Sequence, residues 1–237
     1  MEALAQGIVK AFELVFGGDD EVWAITWLSL KISGSATLIS LVFGIPLGIT
    51  LALSHFPGRK VAVALVNTGM GLPPVVVGLF ISILFWRSGP AGFLNLMYTP
   101  AAMIIAQVVI ALPIVAGVTM AAFQSLNPNL ALQLLGIGAS RRQTLWLLCR
   151  EARLPLLAAV MAGFGAVISE VGASMMVGGN IRGQTRVLTT ATVLETGKGN
   201  FDIAIALSLI LLALCFVLNF LLSHIQQRGQ LRWPRLS

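Results

Sequence analysis

The first candidate for chemistry in this chain is a carboxylate placed among apolar residues. Glu170 stands in the apolar run 154–177, about two helical turns from its far end. An acid at that depth in a membrane costs several kcal/mol unless it is paired, protonated or turned to water. Two roles follow: a group near a polar path or gate, or a buried structural acid hydrogen-bonded to neighbouring helices. Around it Ala158, Ala162, Gly165, Ser169 and Gly172 recur at helical spacing, a stripe that lets another backbone come close. That stripe is either a contact within the chain or a seam between two copies.

A second candidate follows at once. Residues 178–185 read GGNIRGQT, close to the phosphate-cradling pattern GxxxxGK[ST]. Gln184 replaces the lysine and no strand precedes it, so no nucleotide site is expected. Asn180, Arg182 and Arg186 could still meet an anion, or acids on a docked protein; the alternative is solvated or headgroup-bound arginines. His55 and His224 both fall at inner membrane borders with no further ligands nearby, and Cys149 and Cys215 are far apart. Neither pair makes a metal site, and a disulfide is not expected. No serine, histidine and acid share a soluble face, so no catalytic constellation is expected.

These residues need a membrane scaffold. Of 237 residues, 57% are apolar and only 10% charged, whereas soluble domains carry about a quarter charged residues. The length suits a single domain, 1–237. Net charge is +6, but no basic-aromatic stripe points to nucleic acid. Residues 1–28 read as an N-terminal interfacial segment: Leu4, Ile8, Phe12 and Val15 share helical spacing, while Glu2, Lys10 and Glu13 forbid spanning. Trp23 and Trp27 resemble interface anchors. The N-terminus lacks the order of a signal peptide, so the first span is expected to direct insertion.

Five spans are predicted, at about 32–53, 61–86, 100–123, 154–177 and 203–223. The first contains GIPLG at 44–48, a spacing that permits close helix contact. Pro73 and Pro74 remove backbone donors and should break or kink the second. The third holds Gln107 and Pro113, and segment 87–98 is a loop rich in Gly, Pro and Asn.

Between the third and fourth spans lies a basic segment, 127–153, with Arg141, Arg142, Arg150 and Arg153 against the single acid Glu151. Asn127-Pro128 suits a helix start, and Leu130, Leu134 and Leu135 give one apolar face. Gly136 and Gly138 break the pattern; Ser140 can cap a second helix carrying Leu145, Trp146 and Leu148. The element suits docking onto a cytoplasmic partner, or is an ordinary loop obeying topology rules. Five spans with the N-terminus outside leave nine basic residues inside and six outside. The positive-inside rule therefore predicts N-terminus outside, C-terminus cytoplasmic.

Together these features resemble the membrane subunit of a type I ATP-binding-cassette importer. In that family a cytoplasmic loop carries EAA, then Gly, then a later Leu-Pro. Here Leu135-Gly136 or Gly138-Ala139-Ser140 matches the glycine, the second better; Ala131-Leu132-Gln133 stands where a Glu is usual, and Leu154-Pro155 falls later. Ser29-Leu30-Lys31-Ile32-Ser33 followed by GIPLG, and GLPPVVVGL at 71–79, look like the opening spans of oxyanion permeases. The stretch 163–196 is most similar to the tungstate branch, with Ser169-Glu170-Val171-Gly172 where molybdate and sulfate branches show Gly-Glu-Phe-Gly. The resemblance covers roughly 25–225.

It implies an all-α integral membrane fold with a cytoplasmic coupling helix, in a bacterial or archaeal inner membrane. Leu135, Gly136, Gly138, Ala139, Ser140 and Arg141 would couple to the ATPase. Pro73, Pro74, Ser169, Glu170 and Gly172 would line a path or gate, and Asn180, Arg182 and Arg186 would meet the anion or its binding protein. The implied partners are a second copy, an ATPase dimer that binds the ATP and Mg, an extracytoplasmic binding protein and membrane lipid. The chain itself would carry no cofactor and catalyse nothing. The implied cargo is a tetrahedral oxyanion, tungstate foremost. Molybdate, sulfate or an amino acid remain open as cargo. So does an ion-coupled carrier or channel that needs no ATPase, whose coupling residues would include Glu170.

Overall fold

Long apolar stretches of the chain become single helices, and they stop or bend where glycine and proline interrupt them. The computed structural model describes residues 7–10, 12–14 and 17–228. Among these no strand occurs. The helices are α1 (Asp20–Leu53), α2 (Arg59–Met70), α3 (Pro74–Phe85), α4 (Pro100–Gln124), α5 (Pro128–Gly136), α6 (Arg141–Glu151), α7 (Arg153–Ile168), α8 (Gly172–Gly178), α9 (Leu188–Lys198) and α10 (Phe201–Arg228). Residues 7–10 and 12–14 are helical, in keeping with the start of the interfacial segment; Glu2, Leu4 and Val15, and the tail arginines 232 and 235, lie outside the described residues.

Three helices, α1, α4 and α10, are each long and apolar enough to cross a bilayer, and two bent pairs raise the number of crossings to as many as five. The third and fifth predicted spans match α4 and α10. The first and fourth need correction, and the second breaks at its two prolines as expected. Helix α1 starts at Asp20, not near 32, because Asp19 accepts from the Val22 amide at 3.0 Å and Asp20 and Glu21 suit the positive end of the helix. Trp23 and Trp27 are therefore part of the first spanning helix. The second span is two helices meeting at 102°, since Pro73 caps α3 and Pro74 opens it.

The fourth predicted span is also discontinuous. Helix α7 ends at Ile168, residues 169–171 leave the helical path, and α8 adds two further turns. Glu170 thus lies in a break and not inside a helix. Segment 178–200, which follows the fourth predicted span, contains the eleven-residue helix α9.

Helix α4 is the hub, packed by α1, α2, α3, α7 and α8. Where α1 crosses it, a Cβ on Gly44 would lie 2.8 Å from Val115 Cγ1, and one on Gly48 only 2.5 Å from the Ala116 carbonyl oxygen. The GIPLG spacing therefore sets a backbone-to-backbone crossing. One core cluster joins Ile32, Val77, Ile81, Phe85, Met103, Ile110 and Val177. Some hydroxyls along the spans return to their own helices, as with Thr37 to the Ser33 carbonyl and Ser208 to Ala204, whereas those of Ser40, Ser82 and Thr119 are buried with no hydrogen-bond partner among the described residues. Large apolar side chains such as Phe43, Leu65, Phe80 and Phe216 remain exposed on the chain, where lipid or another subunit covers them.

Candidate functional site

Three places hold the residues singled out in the sequence, at the two ends of the bundle and in its middle. The basic segment forms the first. In α5, Asn127 accepts from the Asn129 amide at 2.9 Å and Pro128 occupies the first turn. Its end is a closed motif: Ala139 N–H donates to the Leu134 carbonyl and Gly138 N–H to Leu135, both at 3.0 Å. Gly138 supplies the left-handed residue this requires, with φ +90°. Gly136 is the last residue of α5 and not the turn itself. Ser140 then caps α6 reciprocally with Gln143: the Gln143 amide donates to Ser140 Oγ at 3.4 Å, and the Ser140 amide to Gln143 Oε1 at 2.8 Å.

This helix–turn–helix is anchored by one side only. Leu148, Ala152 and Phe123 form a small core with Leu130 and Ala131 against α1 and α7. The opposite side exposes Leu132, Leu135, Leu145, Trp146 and, at 82%, Ile137. Arg141, Arg142 and Arg153 make no hydrogen bond or ion pair among the described residues, and Arg150 stacks over Trp146 at 5.6 Å. This side is thus an exposed apolar patch with unpaired guanidinium groups beside it in the chain. Burial raises the Cys149 thiol above its ordinary pKa.

In the middle of the bundle the two helix breaks lie side by side. A Cβ on Gly78 of α3 would meet Ala173 Cα at 2.7 Å, and one on Gly172 would meet Val75 Cγ2 at 2.7 Å. The start of α3, with Pro73 and Pro74, is therefore against the start of α8. Ser169 is exposed there and returns its hydroxyl to the Gly165 carbonyl at 2.8 Å. Glu170 is buried, and its Oε1 accepts from the Ala173 amide at 2.7 Å, while its carbonyl accepts from Thr189 Oγ1 at 2.9 Å. It caps α8 and ties the break to α9. Its Oε1 thus meets the backbone at the start of α8, the arrangement expected of the second of the two roles the sequence leaves open. The small-residue stripe is split by the break, and a Cβ on Gly165 would meet nothing within 4 Å, so space is open beside that residue.

At the end opposite the basic segment, Arg182 and Arg186 already have a partner. Glu21, in the first turn of α1, accepts from Arg182 Nε at 2.9 Å and from Arg182 Nη2, and from Arg186 Nη1 at 3.3 Å. This hydrogen bonding raises the Arg182 pKa further. Asn180, at φ +51°, donates to the Thr190 carbonyl at 3.3 Å and holds the loop to α9. The three residues thus serve loop structure first.

Several residues that matter here were not singled out for these roles from the sequence. Thr185 donates to the Gly178 carbonyl at 2.5 Å and accepts from the Ile181 amide at 3.0 Å, so the hydroxyl of the near-Walker pattern staples its own loop. Ser29 accepts from the Leu188 amide at 2.9 Å, capping α9 from α1. Gln107, buried in α4, donates to Ser174 of α8 at 3.4 Å. Only the acids at the start of α1 gave a local signal.

Residues 44–229 match the family model of the binding-protein-dependent transport system inner membrane component. The chain is 39% identical over 229 residues to the tungstate uptake system permease protein TupB of Peptoclostridium acidaminophilum, covering 96% of this chain and 100% of that one. A probable anion ABC transporter permease protein of Haloferax volcanii is 39% identical over 210 residues, 86% of this chain and 90% of its own. The molybdenum transport system permease protein ModB of Escherichia coli K12 is more distant, 27% over 208 residues, 84% of this chain and 90% of that one. In fold, an inward-facing structure of the MetNI methionine ABC transporter matches with TM-score 0.75 at 20% identity, covering 90% of this chain and 100% of that chain. A bacterial ABC transporter that imports alginate matches with TM-score 0.75 at 18% identity, covering 94% and 84%.

Proposed function

Because the chain belongs to the family of inner-membrane components of binding-protein-dependent transport systems, we propose that it is the permease of an ATP-driven tungstate importer. Two copies enclose the pathway, and each receives one subunit of a separate ATPase, which binds the ATP and Mg. An extracytoplasmic binding protein delivers the anion. The arginine-rich end faces the cytoplasm by the positive-inside rule, which leaves the N-terminus outside and the C-terminus inside.

The observation that carries the coupling role is the α5–α6 surface, an exposed apolar patch with unpaired arginines around a fixed glycine turn. ATP closing the ATPase dimer draws the two patches together. Their motion reaches the spans through Phe123, Leu148 and Ala152, and the permease shifts between inward-open and outward-open populations. Leu135, Gly138, Ala139, Ser140 and Arg141 form the contact; Gly136 closes α5 beneath it. Residues 73, 74, 169 and 172 border the pathway where the helices are broken, and Glu170 holds that break by capping α8. A carboxylate would repel an oxyanion, so Glu170 shapes the path and does not bind cargo. Similarity to the tungstate permeases supports the cargo.

The test is uptake by proteoliposomes holding permease, ATPase and loaded binding protein. Tungstate should enter only with ATP inside the vesicle's ATPase compartment, and a tenfold excess of sulfate should leave uptake unchanged. Uptake by the permease alone would replace the importer with an ion-coupled carrier. Equal competition by sulfate would remove tungstate as the favoured cargo.

A further inference from the structure

At the end opposite the basic segment, most cations are already neutralised within the chain. Lys10 pairs with Glu13, Arg182 and Arg186 with Glu21, and Lys198 with Glu195. Two are not. Lys31 sits on an exposed apolar face of α1 with Trp27 and Leu38. Arg87 sits in the loop between α3 and α4, exposed, with no hydrogen bond or ion pair among the described residues.

That loop is built rather than draped. Gly89 N–H returns to the Trp86 carbonyl at 2.7 Å and Ala91 N–H to Leu84 at 2.9 Å. Tyr98 donates its amide to the Val177 carbonyl at 2.9 Å and lays its ring on Gly179. Asn95 and Tyr98 are held in the left-handed region, at φ 49° and 62°; for a bulky residue such as tyrosine this is strain that the surroundings must impose. The result is a fixed pocket of 410 Å³ lined by Trp86, Arg87, Asn95, Met97 and Tyr98. Beside it Phe93 projects, 78% exposed, with Leu94.

Resting on the importer reading above, we propose that this pocket is the docking point for an acidic side chain on the extracytoplasmic binding protein, with Arg87 as the charge partner and Trp86, Phe93 and Tyr98 as apolar anchors. Tryptophan, tyrosine and arginine around a concave pocket are the composition of an interface hot spot. The positive charge that Lys10, Arg182, Arg186 and Lys198 lose to internal acids is retained here, so an acidic partner surface is directed to this loop. Aromatic residues that merely rest among lipid headgroups need neither a strained backbone nor a walled pocket.

The experiment holds the permease–ATPase complex in nanodiscs and titrates tungstate-loaded binding protein by biolayer interferometry. Arg87→Glu should weaken binding about tenfold or more, Phe93→Ala about threefold to tenfold, and Arg87→Lys less than about threefold. Arg87→Gln, the milder change, should fall between lysine and glutamate, and all variants should still copurify with the ATPase. Wild-type affinity in Arg87→Glu overturns the proposal while leaving the importer reading intact. A loss seen only in nanodiscs containing phosphatidylglycerol, and absent in pure phosphatidylcholine, also overturns it, because Arg87 would then serve a lipid headgroup. Wild-type complex that fails to bind the protein at all sinks both readings.

Discussion

The two ends of this molecule carry similar arginines put to opposite uses. At one end Arg182 and Arg186 converge on Glu21; Arg182 is 73% exposed and Arg186 only 18%, and the loop they hold is further stapled by Thr185, Asn180 and Ser29. At the other end Arg141, Arg142 and Arg153 pair with no acid among the described residues, and they flank apolar side chains left in the open. The first end is closed on itself, and the second is unfinished. A guanidinium group in a sequence carries no label for either role. What distinguishes them is whether the fold delivers an acid, and here that acid comes from 161 residues away.

The sharpest way to break this contrast is at the turn of the unfinished end. Gly138→Pro forces φ to about −65° where +90° is needed, so ATP-driven uptake should fall to background while the protein still inserts and binds lipid normally. Uptake with wild-type coupling would mean that α5–α6 is not the docking element. Ala139→Asp should lower coupling in the same assay to a lesser degree.

Glu170→Leu tests the middle, where both ends meet. It removes the cap of α8 and should lower stability by about 1–2 kcal/mol, read as a lower melting temperature in detergent. Glu170→Gln, which can still accept from the Ala173 amide, should lose less. Equal melting temperatures for wild type and Glu170→Leu would show that the cap contributes nothing.

At the closed end Thr185→Val leaves the Ile181 amide and Gly178 carbonyl without a partner, at a cost of about 1–3 kcal/mol. Glu21→Gln should cost less, about 1 kcal/mol or under, because the Arg182 half of the clasp is exposed. Its melting-temperature deficit should shrink in high salt, whereas that of Thr185→Val should not. A salt-independent Glu21→Gln effect would remove the electrostatic account of the clasp. Smallest of all, Arg142→Ala should leave the melting temperature unchanged, as expected of a side chain that bonds nothing in its own subunit.

Helix starts and stops were largely readable in the chain. Asn127-Pro128, Ser140 and Pro73-Pro74 mark boundaries by local chemistry, and the structure uses each of them. The turn at Gly138 was likewise legible, because only a residue free to adopt positive φ closes that motif. The break at Glu170 was not. Its neighbours keep helical spacing, and nothing local announces that a carboxylate will cap the next helix while Thr189 binds its carbonyl from 19 residues on. The fate of Arg182 and Arg186 was equally hidden, since it depends on how α1 meets a distant loop.

Helix α1 begins with Glu21 in the clasp and ends with Ile49 and Ala52 against the core beneath α5 and α6. Its 34 residues make a rod about 50 Å long. Pivoting that rod by only about 5° would swing its far tip by about 4 Å, a distance that follows from its length under the same rise per residue. One stiff lever therefore joins the two faces of the membrane, and the angle at which it leans is felt at both of them at once.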